Sequence, residues 1–263
     1  MVNNARVICV TNQKGGVGKS TTAEALAEGL LLKNRKALLV DLDPQGSITL
    51  TAGASTNRPT AYEVMMRLNT AQEAIQDRTK ILPRRANIIP ANKNLVRLDI
   101  ELTSTGKEYR LKEQLKPLLP YYEYIVIDTP PALGILTVAA LTASDSLIIP
   151  AQADVYSLQG IGQLFDTIQA IKEYTNPGLA LDGIILTRHN SRNILSRDMA
   201  AAAEDTAAQM GTFLYRTVIR ESVAVKEAQA NQRTIYDYAP KSNAAVDYMA
   251  FTSEYLGRKN NNV

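Results

Sequence analysis

The stretch TNQKGGVGKSTT, residues 11–22, decides the fold. Before it lies an apolar, β-branched run, RVICVT (6–11). After it, from Lys19 to about Lys33, Ala23, Leu26, Ala27, Leu30 and Leu31 recur at helical spacing. Strand, glycine turn and helix in that order are the setting in which G-x-x-x-x-G-K-[ST] binds phosphate. Counting back from Gly18-Lys19-Ser20, the first glycine of the pattern falls on Gln13, and a second lysine, Lys14, stands inside the loop. Gly15, Gly16 and Gly18, with Val17 between them, let the backbone turn with its N–H groups inward, and the helix N-terminus adds partial positive charge. Lys19 is placed to reach the β- and γ-phosphates, Ser20 to ligate Mg²⁺, and Thr21 and Thr22 to bond further phosphate oxygens.

The rest of the chain supplies the scaffold. Further strands are expected at KALLVDL (36–42), ANIIPA (86–91), YEYIVIDT (122–129), DSLIIPA (145–151), LDGIILT (181–187) and TFLYRTVI (212–219). Helices are expected over 95–104, 107–119, 134–143, 157–174, 193–210, 222–230 and 242–256. This alternation predicts an α/β fold: a single-domain P-loop NTPase with a mostly parallel twisted sheet and helices on both faces. The domain runs over 1–257, and GRKNNNV leaves 258–263 as a flexible polar tail. At 45% hydrophobic and 21% charged residues the chain has material for a real core. No apolar run approaches the ~20 residues that span a bilayer, and the N-terminus lacks a signal-peptide pattern, so the expected place is the cytoplasm. A net charge of +3 permits contact with nucleic acid without requiring it. Cys9 lies in an apolar run and reads as a buried core thiol.

A phosphate loop needs acidic partners for its metal, and two strand ends offer them. LLVDLDPQG (38–46) carries Asp41 and Asp43, and YIVIDTPPALG (124–134) carries Asp128 behind Ile125, Val126 and Ile127. Ligands of α/β folds gather at such carboxyl ends of strands. Asp128 fits an aspartate that holds Mg²⁺ through water, so the metal set is Ser20, Asp43 and Asp128. Asp43, braced by Pro44-Gln45-Gly46, is assigned to orient or deprotonate the attacking water, and Asp41 to support the metal shell or the loop. Lys19 and Asp43 are the catalytic candidates, and the chemistry the residues point to is that of a metal-dependent nucleotidase. Gly134 reads as a flexible joint for a switch near the γ-phosphate.

Together, KGGVGKST (14–21), VDLDPQG (40–46) and IDTPPALG (127–134) resemble the deviant Walker A ATPases of the ParA/MinD superfamily. LTASDSLIIPAQADVYSLQGI (141–161), TVIRESVAVKEA (217–228) and YAPKSNAAVDYMAFTSEYL (238–256) resemble its ParA and Soj partition members in particular. The resemblance implies a homodimer closed around ATP, in which Lys14 crosses to the partner's phosphates as an arginine finger does. It also implies non-specific double-stranded DNA as a ligand of the ATP dimer, association with the nucleoid, and release by a ParB-like centromere-binding protein. Asp154 resembles an acidic position near the dimer interface. Thr187, Arg188, Ile219 and Arg220 are implied at the base. There the chain departs from the family, reading Ile219-Arg220-Glu221 where relatives read I-P-R.

Arg192 matches a basic position used for DNA, while the second expected arginine corresponds to Ala224, leaving Arg216, Arg220, Lys226, Arg233 and Lys241 as substitutes. Each of these also reads as an ordinary solvated cation. The alternatives are a MinD-like positioning ATPase, which needs a basic amphipathic C-terminal helix that EYLGRKNNNV does not supply, and a small-molecule kinase or synthetase on the same scaffold. An iron–sulphur ATPase needs interface cysteines, and Cys9 stands alone.

Overall fold

The computed structural model describes residues 4–78, 85–189 and 194–260. Six strands, β1 (Arg6–Val10), β2 (Ala37–Asp41), β3 (Asn87–Ile89), β4 (Tyr124–Asp128), β5 (Ser146–Ala151) and β6 (Ala180–Leu186), form one sheet in the order β3-β2-β4-β1-β5-β6. Every neighbouring pair is parallel. The strands are apolar almost throughout, because a parallel sheet is covered on both faces. Alternate residues part accordingly. Val7, Cys9, Val40, Ile125 and Ile127 pack on one side, and Ile8, Val10, Leu39, Val126 and Ile148 on the other.

The helices, in chain order, are α1 (Lys19–Leu32), α2 (Ser47–Thr51), α3 (Ala61–Met65), α4 (Ala71–Ala74), α5 (Leu98–Glu101), α6 (Arg110–Leu115), α7 (Ile135–Ala143), α8 (Val155–Tyr174), α9 (Ile194–Gln209), α10 (Val223–Ala230), α11 (Ile235–Tyr238) and α12 (Asn243–Asn260). One face is covered by α1 and α12, which bury Leu26, Leu30, Phe251 and Tyr255. The other is covered by α6, α7 and α8 through Leu115, Leu136, Ala140, Leu164 and Ile168. Each fully buried leucine or phenylalanine contributes roughly 1.5–3 kcal/mol relative to exposure. Cys9 is completely buried, and burial raises its thiol well above the usual range, so it is an inert core residue.

Three expectations need correction. TFLYRTVI is not a seventh strand. It runs beside β6 and makes isolated bridges only, Ile184 with Leu214 and His189 with Arg220. A bulge in β6 at Asp182-Gly183 offsets the register. The backbone N–H groups of Arg216 and Thr217 then donate to the Glu254 carboxylate of α12, at 3.0 and 2.9 Å, rather than to a strand. The helix expected over 107–119 is broken, with 3₁₀ turns at Lys107–Tyr109 and Lys116–Leu118, where Pro117 has no N–H to give. The polar tail is shorter than expected, because α12 continues through Asn260. Lys259 donates to Asp182, and the Arg258 guanidinium lies 3.9 Å from the Phe213 ring centroid. The short helices α3, α4 and α11 begin at capping threonines 60, 70 and 234 and are too brief to show periodicity in the sequence.

Candidate functional site

The sheet order puts β1 at its centre, between β4 and β5, and the turn from β1 into α1 opens at the carboxyl edge. Gly18 caps α1 with φ 84, a left-handed conformation that β-carbon-bearing residues rarely hold. No side chain caps this helix, so its first N–H groups stay free for a ligand. Side chains from other strands clamp the loop. Asn12 donates to the Pro150 carbonyl at 2.7 Å and accepts from the Lys14 N–H at 3.0 Å. Thr187 donates to the Val17 carbonyl at 2.7 Å.

Above this loop lies a cleft of about 420 Å³. Its walls include Gly15, Gly16, Gly18, Lys19, Ser20 and Thr21 of the phosphate loop and α1, Asp43 from beyond β2, and Thr187, Arg188, Ile219 and Arg220 from later segments. Most of the expected phosphate residues, Ser20 and Asp43 of the metal set, and the expected base residues thus line one cavity, of a size suited to a small-molecule ligand, while Asp128 is not among its lining residues. Val17 is buried beneath the loop. The Lys19 ammonium donates to the Lys14 carbonyl at 2.9 Å. Burial lowers its pKa, and the carboxylates of Asp128 and Asp43 act against that.

The aspartates divide their work by hydrogen bonding. Asp41 is fully buried and accepts from the Asp43 N–H at 3.1 Å, the Thr49 N–H at 2.9 Å and the Thr49 hydroxyl at 2.7 Å. Both of its oxygens accept hydrogen bonds within the turn, as the loop-supporting role expected for it requires. Asp43 accepts from the Gln45 N–H at 2.9 Å through one oxygen and faces the cleft. Asp128 stands opposite Asp41 in the β2–β4 register. It is fully buried, and neither of its oxygens closes a hydrogen bond. Burial chiefly, and then the Asp41 carboxylate, push its pKa well up, while Ser20 and Lys19 oppose the shift. A buried carboxylate without a partner is costly to keep, and a cation is the partner such a group fits. Mg²⁺ keeps most of its waters and takes few protein ligands, so Ser20 with Asp128 and Asp43 is a sufficient set. Among the described residues no cluster of three or more His, Cys, Asp or Glu forms a protein-only metal cage.

Lys14 does not line the cleft beside it. Its ammonium donates to both oxygens of Asp154 at 2.7 Å and to the Ser157 hydroxyl at 3.3 Å. Burial works to raise the Asp154 carboxyl, but Lys14 and the Ser157 N–H outweigh it and hold it below the usual aspartate range. Gly134, expected as a joint, also has a packing reason to be glycine. Its backbone is extended, and a Cβ there would lie 2.6 Å from the Asp99 carboxylate. The glycine serves a close approach: Asp99 accepts from the Ile135 N–H at 2.8 Å and so tethers the start of α7.

The basic residues expected to meet DNA have different surroundings. Arg220 is locked to Asp247 of α12, with its guanidinium donating at 2.9 and 2.7 Å. Lys226 lies on the cleft wall. Arg216 lies near Arg258 and Glu254, Arg233 donates to the Asp237 carbonyl at 2.6 Å, and Lys241 is exposed. Arg192 lies outside the described residues. Several cleft residues carried no sequence signal: Glu221, Gln229 and Tyr248 reach the cavity from loops and helices far along the chain.

A family model described as an AAA domain matches residues 5–181. The chromosome partitioning protein ParA of Myxococcus xanthus is 36% identical over 256 residues, which cover 96% of this chain and 88% of that protein. The sporulation initiation inhibitor protein Soj of Bacillus subtilis is 35% identical over 252 residues, covering 95% of this chain and 97% of Soj. Among solved structures, cobyrinic acid a,c-diamide synthase of Mycobacterium smegmatis, with a bound ATP analogue and magnesium, superposes with a TM-score of 0.76 at 32% identity, covering 95% of this chain and 93% of that one. No helix among the described residues is long and apolar enough to cross a membrane. Likeness of this extent, on a site of this geometry, makes the chain a member of the ParA/MinD-type ATPases.

Proposed function

We propose that this protein hydrolyses ATP with Mg²⁺ to drive DNA partition, as a homodimer that closes on nucleotide and then holds non-specific duplex DNA. The observation that carries the reading is the split between the two loop lysines. Lys19 lines its own chain's cleft, whereas Lys14 sits outside it, held by Asp154. A cation beside a phosphate site but turned out of it is suited to serve a second copy. The α1 N-terminus and Lys19 bind the phosphates, and Ser20, Asp128 and Asp43 would hold Mg²⁺, which supplies charge neutralisation at the β- and γ-oxygens. Asp43, fixed by the Gln45 N–H, keeps an oxygen free to orient a water and receive its proton. Release of Lys14 from Asp154 accompanies dimer closure, so turnover depends on assembly. The partition assignment itself is supported by the likeness to ParA and Soj.

Lys14→Ala is the test. ATP turnover should fall by about 10³-fold or more, the range for a charge supplied in trans, while binding of ATP to the single chain persists. Unaltered turnover removes the dimer reading. The likeness to an amide-forming synthase keeps a synthetase as the rival. ATP hydrolysis stimulated by duplex DNA, with no small-molecule acceptor added, excludes it, and a DNA shift that weakens steeply with salt supports partition.

A further inference from the structure

We propose that Glu221 is a nucleotide-positioning residue. It holds the Arg188 guanidinium at the edge of the cleft, as a bridge between the phosphate loop and the loop ahead of α10, and so sets how long nucleotide stays bound. The inference rests on the reading of the cleft as an ATP site. Segments 187–189 and 219–221 form one wall: the Ile219 N–H donates to the Leu186 carbonyl at 2.8 Å, the His189 N–H to the Ile219 carbonyl at 2.9 Å, and the Glu221 N–H to the His189 carbonyl at 3.3 Å. Within that wall Arg188 has φ 51, a left-handed conformation that a residue with a long side chain keeps only when its surroundings over-determine it.

The surroundings are two. Nε and Nη2 of Arg188 donate to one Glu221 oxygen at 3.1 and 2.8 Å. Nη1 donates to the Gly16 carbonyl at 3.3 Å, which the Gln152 amide also reaches, at 3.2 Å. One guanidinium therefore ties the glycine turn to Glu221, at the edge of the cleft that Gly16, Arg188 and Glu221 all line. The neighbouring Arg220 takes no part, because Asp247 holds it. Both members of the pair are about half exposed, at 46% and 52%. Solvent screens such a pair, so the bridge opens on thermal fluctuation and acts as a latch, not a fixed wall.

The experiment is stopped-flow dissociation of a fluorescent, non-hydrolysable ATP analogue from the full chain. Glu221→Gln and Arg188→Ala should each speed dissociation about two- to fivefold, the scale of an exposed charge pair. The double variant should dissociate no faster than Arg188→Ala, since the two residues act as one unit. Glu221→Asp should fall between wild type and Glu221→Gln, and added salt should shrink every difference. An unchanged rate in Glu221→Gln, or additive effects in the double variant, overturns the proposal and leaves the ATP site standing. A wild-type chain that binds no ATP analogue removes both.

Discussion

Two parts of the cleft lining are built on opposite principles. At the phosphate end, backbone N–H groups, a lysine 6% exposed and fully buried carboxylates converge within a loop clamped from β5 and β6. In the later segments, the half-exposed Arg188 and Glu221 bridge two loops. Burial makes the first part strong and costly: Asp128 has no hydrogen-bond partner, and Lys19 has its pKa lowered by desolvation. Exposure makes the second adjustable and cheap to change. A nucleotide switch gains from both, since the triphosphate needs a rigid electrostatic cradle and exchange needs a weak gate.

The comparison breaks first at Lys19. Lys19→Ala should lower ATP turnover by about 10²-fold or more, since a preorganised charge in a water-poor site is removed. A loss of only a few fold would place both parts on the same footing. Gly134→Ala tests the rigidity of the phosphate side. The added Cβ, 2.6 Å from Asp99, should destabilise the chain by roughly 1–3 kcal/mol in a denaturant titration. Asp99→Ala in the same chain should recover part of that loss.

The smallest effect concerns the helix behind the loop. Glu24 and Glu28 of α1 are buried, and one oxygen of Glu24 has no partner. Burial, with Glu28 beside it, pushes Glu24 up to about 8, and burial pushes Glu28 up to about 7 against the pull of Arg78 and Arg85. A carboxyl whose folded pKa exceeds its unfolded one holds its proton in the folded state. The resulting stability is complete below about pH 4.5 and is lost as pH climbs towards 8. The thermal midpoint should therefore fall between pH 5 and pH 8, and Glu24→Gln should flatten that fall by about 2 kcal/mol or less. An unchanged slope would mean that Glu24 is paired in solution.

Much of the phosphate end was legible in the sequence because its parts are contiguous. Lys14 to Thr21 is one turn, Asp128 closes a strand of unmistakable apolarity, and Asp43 follows another by two residues. The roles of Asp41 and Gly134 were not legible. Whether an aspartate ligates a metal or ties a turn depends on where Thr49 lies, and whether a glycine serves as a hinge or a clearance depends on Asp99, 35 residues earlier in the chain. TFLYRTVI had the composition of a strand, but Glu254 took the N–H groups that a strand would have used.

By itself the sequence determined the sheet, the phosphate loop and the acidic strand ends, because hydrophobic period, glycine placement and strand-end chemistry are local properties. Only the tertiary structure decided that Lys14 leaves its own cleft for Asp154, that Arg220 is spent on Asp247, and that Arg188 meets Glu221 at the edge of the cleft. Charges choose partners by distance after the chain has folded. Residues 14 and 154, or 188 and 221, carry no sign of that choice until the helices and loops bearing them are packed onto the same edge of the sheet.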